Sequence, residues 1–136
     1  MDPLYLGKTV IVHEGKNNAH QWVELIHKHR ATIFIGVPTI YRQILQKTAA
    51  KKDHVPSLRH CMSAGEHLSD EVFEQWSSRF GLEIYEAVGM SEFSYYISQS
   101  THRPTRPGSA GFPQPGHKVK LLDPMTLEEV KNGNLD

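Results

Sequence analysis

Short apolar runs rich in β-branched residues alternate along this chain with stretches whose apolar positions recur every three or four residues. That alternation predicts βαβ units around a parallel sheet. Thr9-Val10-Ile11-Val12 reads as a first strand. From Ala19 to His29, Trp22, Val23, Leu25 and Ile26 form an apolar stripe at helical spacing. Thr32-Ile33-Phe34-Ile35 reads as a second strand, after which Gly36-Val37-Pro38 turns the chain into a helix. That helix runs from about Thr39 to Ala49 and is buried through Ile40, Tyr41, Ile44 and Leu45. Pro38 suits its start, where the missing N–H costs no bond.

The polar stretch Lys51-Lys52-Asp53-His54 leads past Pro56 into a third strand, Leu58 to Met62, with Ser63-Ala64-Gly65-Glu66-His67 as the loop after it. Ser69 is a good N-cap, and Asp70 and Glu71 fall in the first turn, where the helix dipole favours them. Val72, Phe73, Trp76 and Phe80 form the buried face of this helix, and Gly81 stops it. Leu82-Glu83-Ile84-Tyr85 reads as a fourth strand, Glu86 to Glu92 as a loop, and Phe93 to Ser100 as a further strand. From Arg103 to Gly116, repeated proline and glycine leave little room for regular structure, with Phe112 as an apolar anchor. Leu121 to Thr126 reads as a strand running into a turn, with no returning strand before Asn134-Leu135-Asp136, so the natural chain is expected to continue. The expected architecture is α/β, a flavodoxin-like three-layer parallel sheet with a β-rich C-terminal tail.

Composition narrows the function classes. The 136 residues carry 15 Lys+Arg against 15 Asp+Glu, and no basic stripe stands ready for a phosphate backbone, so nucleic acid is not an expected partner. Cys61 is the single cysteine and sits in an apolar run, which suits a packed thiol in a reducing compartment. The N-terminus lacks a basic region followed by an apolar run, and no stretch approaches the roughly 20 apolar residues of a membrane span. The expected setting is cytoplasmic.

In open parallel sheets, ligands bind beyond the carboxyl ends of the strands. Three predicted loops fall there: Gly36-Val37-Pro38, Ser63 to Leu68, and Glu86 to Glu92. In Gly89-Met90-Ser91-Glu92, the glycine permits positive φ and removes a Cβ from the ligand side, and the serine hydroxyl can donate to a phosphate oxygen. The glutamate can hold Mg²⁺, which takes one or two carboxylates plus substrate phosphates. The small residues of Ser63-Ala64-Gly65-Glu66 can form a wall for a flat ring. Each match is common when taken singly. Gly7-Lys8-Thr9 imitates the end of a phosphate-binding loop, but it opens a predicted strand rather than a helix. The nine histidines show no metal-ligand spacing, and no Gly-x-Ser-x-Gly elbow supports Ser63 or Ser91 as a nucleophile.

Four linked segments together resemble the adenylate-forming superfamily of acyl- and aryl-CoA synthetases, luciferases and peptide-synthetase adenylation domains. They are Phe34 to Tyr41, Leu58 to Leu68, Tyr85 to Glu92, and Pro107 to Val119, in the family's order and over nearly the whole chain. The wording Ser-Ala-Gly-Glu and Gly-Met-Ser-Glu is most similar to acyl- and aryl-CoA synthetases, benzoate-type ligases included. The resemblance implies a parent enzyme that joins a carboxylic acid to AMP from ATP and then passes the acyl group to coenzyme A. It implies that Gly65, Glu66 and His67 flank the adenine and that Glu86, Ala87 and Val88 continue around the nucleotide. The resemblance further implies that the backbone near Gly89 and Met90 borders the acyl pocket, that Ser91 contacts the α-phosphate and that Glu92 binds Mg²⁺, with Ser91 and Glu92 as the catalytic pair. Val88 departs from the aromatic residue common in relatives, which removes a stacking partner for adenine.

The resemblance divides the chain into an α/β AMP-binding unit, 1–102, and a Pro/Gly-rich loop with the start of a β segment, 103–136. The phosphate loop with its lysine, the ribose-binding aspartate and the mobile C-terminal domain are not recognisable here. This chain alone is therefore expected to be inactive, with the remainder of the synthetase chain as its partner. Apolar surface left by that remainder would favour self-association. The alternative reading is a free-standing, non-enzymatic α/β interaction or assembly module.

Overall fold

The computed structural model describes residues 2–16, 18–103 and 105–130. A short helix, α1 (Asp2–Tyr5), is followed by residues without regular structure up to α2 (Ala19–Lys28). The expected strand Thr9-Val10-Ile11-Val12 does not form. An apolar run becomes a strand only where an edge accepts its hydrogen bonds, and no strand pairs with it among the described residues. Gly7-Lys8-Thr9 accordingly ends a helical turn, with Gly7 N donating to Leu4 O at 3.0 Å, instead of opening a strand.

The central unit follows the predicted order: β1 (Ile33–Gly36), α3 (Pro38–Lys47), β2 (His60–Ala64), α4 (Asp70–Phe80) and β3 (Ile84–Met90). Local chemistry sets the helix ends. Asn18 Oδ1 accepts from His20 N at 3.0 Å to cap α2. Pro38 opens α3, and Ser69 Oγ accepts from Val72 N at 3.4 Å before α4. β2 begins two residues later than expected because Arg59 N and His60 N both donate to Thr32 O, which sets the parallel register. Ser63 and Ala64 are therefore strand, not loop, and pair with β3 at Glu86 and Ala87.

β3 runs on through Glu86 to Met90, which corrects the expected loop from Glu86 to Glu92. The cause lies downstream: β4 (Ser94–Ser98) folds back antiparallel beside it, leaving only residues 91–93 as the turn. Gly89 does not adopt positive φ as expected. Its need for glycine is steric, since a Cβ there would lie 2.4 Å from Ser94 O. β5 (Phe112–Pro113) adds a fifth, antiparallel strand within the Pro/Gly-rich segment; Phe112 is half-exposed rather than the expected apolar anchor, and the Arg103 guanidinium lies 4.1 Å from its ring centre.

The sheet is thus mixed, in the order β1-β2-β3-β4-β5. Phe34, Cys61 and Ile84 stand in register on one face and share a core with Ile26 of α2, Tyr41 and Ile44 of α3, and Trp76 and Phe80 of α4. Burial pushes the Cys61 thiol up to about 12, so it is a packed, inert group, as expected. On the opposite face Ile33 and Ile35 are 49% and 51% exposed. The α/β class holds, while the third layer is not present among the described residues. In the tail, Leu122 bridges Glu129 antiparallel and Val130 N donates to Leu121 O at 2.9 Å, a short return that the sequence reading lacked. Asp123 Oδ1 closes the turn between them, accepting from Thr126 N and Met125 N, and these donors hold its carboxyl below the usual range. Asn134-Leu135-Asp136 lies outside the described residues.

Candidate functional site

Two parallel crossovers place the ends of β1, β2 and β3 side by side, and the segments leaving them are tied together by side chains. Thr39, at the start of α3, donates its hydroxyl to Glu66 Oε2 at 2.9 Å. Glu86 Oε1 accepts from Leu68 N at 3.0 Å, holding residues 65–68 against β3. His67 Nδ1 lies 3.9 Å from the same oxygen, a looser contact made by an exposed ring. The Glu86 side chain itself is only 12% exposed, so the hydrogen bond from the Leu68 N–H fixes the carboxylate under the loop.

The segment carrying Gly65, Glu66 and His67 therefore lies beside Glu86, with those three residues on the surface. Ala87 is buried and offers only its main chain, while Val88, Gly89 and Met90 lie in the exposed last part of β3. Ser91 and Glu92 stand apart from the Glu86 cluster, exposed in the turn between β3 and β4. No group of three or more His, Cys, Asp or Glu able to hold a metal occurs among the described residues. A lone Glu92 carboxylate nevertheless fits an ion that takes most of its oxygens from phosphates and water.

The electrostatics of the patch are one-sided. None of residues 36–39, 65–69 or 90–93 is Lys or Arg. Such a surface can seat an uncharged ring and a hydroxyl, but it cannot by itself neutralise a polyphosphate. Sequence reasoning missed the contact between Thr39 and Glu66 and the role of Gln99, which clamps the main chain of Glu86 from just past β4. Neither contact has a local signal, because the partners lie 27 and 13 residues apart. A separate depression lined by Glu83, Tyr85, His102 and Arg103 lies at the amino end of β3, away from this cluster.

Comparison with known proteins gives a consistent relationship. The sequence model of a family described as AMP-binding enzyme matches residues 1–135. The chain is similar to the benzoate–CoA ligase of Thauera aromatica, 31% identical over 121 residues, covering 89% of this chain and 23% of that one. Its structure is similar to a benzoate CoA ligase from Burkholderia xenovorans LB400, with a TM-score of 0.87, 32% identity, and coverage of 96% and 27%. It is likewise similar to an anthranilate CoA ligase in complex with anthranoyl-AMP, with a TM-score of 0.86, 31% identity, and coverage of 95% and 25%. The chain spans about a quarter of the length of these relatives. Among the described residues, no helix is long and apolar enough to cross a membrane.

Proposed function

The chain belongs to the AMP-binding enzyme family, and from that premise we propose that it supplies the nucleotide-side half of an AMP-forming acyl- or aryl-CoA ligase site. The observation that carries this is the Glu86 cluster, in which one buried carboxylate organises the surface loop 65–68 at the carboxyl ends of parallel strands. In this reading Gly65, Glu66 and His67 flank the adenine, and Glu86, Ala87 and Val88 continue around it. Met90 and the open edge at Gly89 border the acid. Ser91 donates its hydroxyl to the α-phosphate, and Glu92 takes one coordination position of Mg²⁺.

The reaction joins a carboxylate oxygen to the α-phosphorus of ATP, with pyrophosphate leaving, and the mixed anhydride then passes its acyl group to the thiol of coenzyme A. Two anions must meet in the first step, so cationic groups are required near the phosphates. Mg²⁺ supplies part of that charge when bound. The three surface segments contain no Lys or Arg, so in this reading the rest of the positive charge comes from outside them, with the remainder of a longer chain as its source. The division into 1–102 and 103–136, and the cytoplasmic setting, belong to the same proposal. The uncovered face at Ile33 and Ile35 is the surface that the remainder would cover, and the isolated chain would self-associate through it. A sedimentation coefficient that stays constant across protein concentrations would argue against that.

The division of labour has a direct test. With benzoate as the acid, ATP–pyrophosphate exchange by this chain is expected to remain at background. Exchange above background would mean that the chain holds the whole adenylating site, and the half-site proposal would fall.

A further inference from the structure

Just past the end of β4, Gln99 is nine-tenths buried, and both ends of its side-chain amide are engaged. Its Oε1 accepts from Glu86 N at 3.1 Å, while its own backbone N–H donates to Glu86 O at 2.9 Å. Its Nε2 donates to the carbonyls of Arg106 at 3.0 Å and Ser109 at 2.6 Å. One donor facing Oε1 and two acceptors facing Nε2 define the orientation of the amide. No other side chain of similar size meets those demands. Glutamate would set a carboxylate against two carbonyl oxygens, and asparagine is one methylene too short to span the gap.

The main chain of Glu86 is thus gripped by Gln99 while its carboxylate grips Leu68 N. A continuous set of hydrogen bonds runs from the carbonyls of Arg106 and Ser109, through Gln99 and Glu86, to the loop at 65–68. The Ser109 end is itself anchored, because Ser109 Oγ accepts from Gly111 N at 3.2 Å and Gly111 sits hard against the backbone of Ser98. We propose that Gln99 is a positioning residue that couples the Pro/Gly-rich segment around 106–109 to the loop flanking the nucleotide. That loop then takes its binding position only when the segment is seated. The functional meaning rests on the nucleotide-site reading above, but the coupling is measurable without nucleotide.

The test is amide hydrogen exchange in this chain, comparing wild type with Gln99→Met, which keeps length and burial but removes the hydrogen bonds. Exchange at the Leu68 amide is expected to accelerate about tenfold or more, with the Trp76 and Phe80 amides unchanged. Gln114→Met, which removes a side-chain bond to the Ser98 hydroxyl without touching Glu86, should leave Leu68 at its wild-type rate. Faster exchange confined to 106–111, with Leu68 unaffected, would reduce Gln99 to a local brace and overturn the proposal. Should Gln99→Met also lose protection at Trp76 and Phe80, Gln99→Asn decides by the same comparison at Leu68. AMP-induced shifts measured on the same samples separate the two ideas. A Leu68 response without AMP shifts removes the nucleotide reading alone, and AMP shifts without a Leu68 response remove the coupling alone.

Discussion

Replacing Trp76 by alanine is expected to destabilise the chain by about 3–5 kcal/mol, a large part of the roughly 5–15 kcal/mol that holds a domain folded. Trp76 is 1% exposed and bridges the two central helices. Its ring stacks on Phe80 at 4.1 Å and meets Tyr41 edge-on at 4.7 Å and 86°. Tyr41 in turn sets its hydroxyl between Met62 O at 2.7 Å and Phe34 O at 3.1 Å, on adjacent strands. Removing the indole leaves a cavity at the junction of α3, α4 and the sheet, and the aromatic neighbours cannot fill it without giving up those hydrogen bonds. Chemical denaturation followed by circular dichroism reads the change. A midpoint shift worth less than about 1 kcal/mol would show that the aromatic cluster is not the centre of stability.

Gly111→Ala should have the second large effect, and of a different kind. Gly111 has φ +102, and an added Cβ would lie 2.2 Å from Ser98 C and O and 2.3 Å from Gln99 N. These are backbone atoms, so no rotamer change relieves the clash, and the strained backbone adds to it, together about 2–4 kcal/mol. That penalty falls on a peripheral strand, so the expected outcome is local: β5 lifts away while the helical core stays folded. Limited digestion with subtilisin, whose broad specificity does not depend on an Arg–Pro bond, should then cut within 106–111 far faster than in the parent chain, with near-unchanged helix content. An unchanged cleavage rate would contradict the tight seating of this segment on β4.

Much of the fold was legible in the sequence, and what was not depended on distant partners. The helices were readable because their determinants are local: the stripe of Val72, Trp76 and Phe80, the cap at Ser69, and the stop at Gly81. Strands β1 and β2 were found within two residues, since buried parallel strands are short apolar runs. Thr9 to Val12 has the same appearance, but pairing rather than composition decides whether such a run becomes a strand. The stretch from Glu86 to Met90 failed in the opposite sense. Its glycine and glutamate suggested a loop, and the antiparallel partner at Ser94–Ser98 made it a strand.

The candidate site divides along the same line. Gly65, Glu66 and His67 were placed after a strand from local pattern, and Glu86 meets that segment at His67 and Leu68. Ser91 and Glu92 keep their exposed turn. Thr39 and Gln99 were invisible, because their importance lies in contacts to residues far along the chain. Glu86 itself was read as a loop residue beside the ligand. Its position in the strand, with the carboxylate tucked beneath the loop, gives it a structural task that no local motif announces.

Whether this chain carries a nucleotide half-site is most directly tested by amide NMR of the labelled chain titrated with Mg²⁺ and AMP, with GMP as the comparison. Shifts are expected to cluster at residues 65–68 and 86–92 with AMP and to be weaker or absent with GMP. No clustered shifts up to millimolar AMP, or equal shifts with GMP, would contradict the half-site.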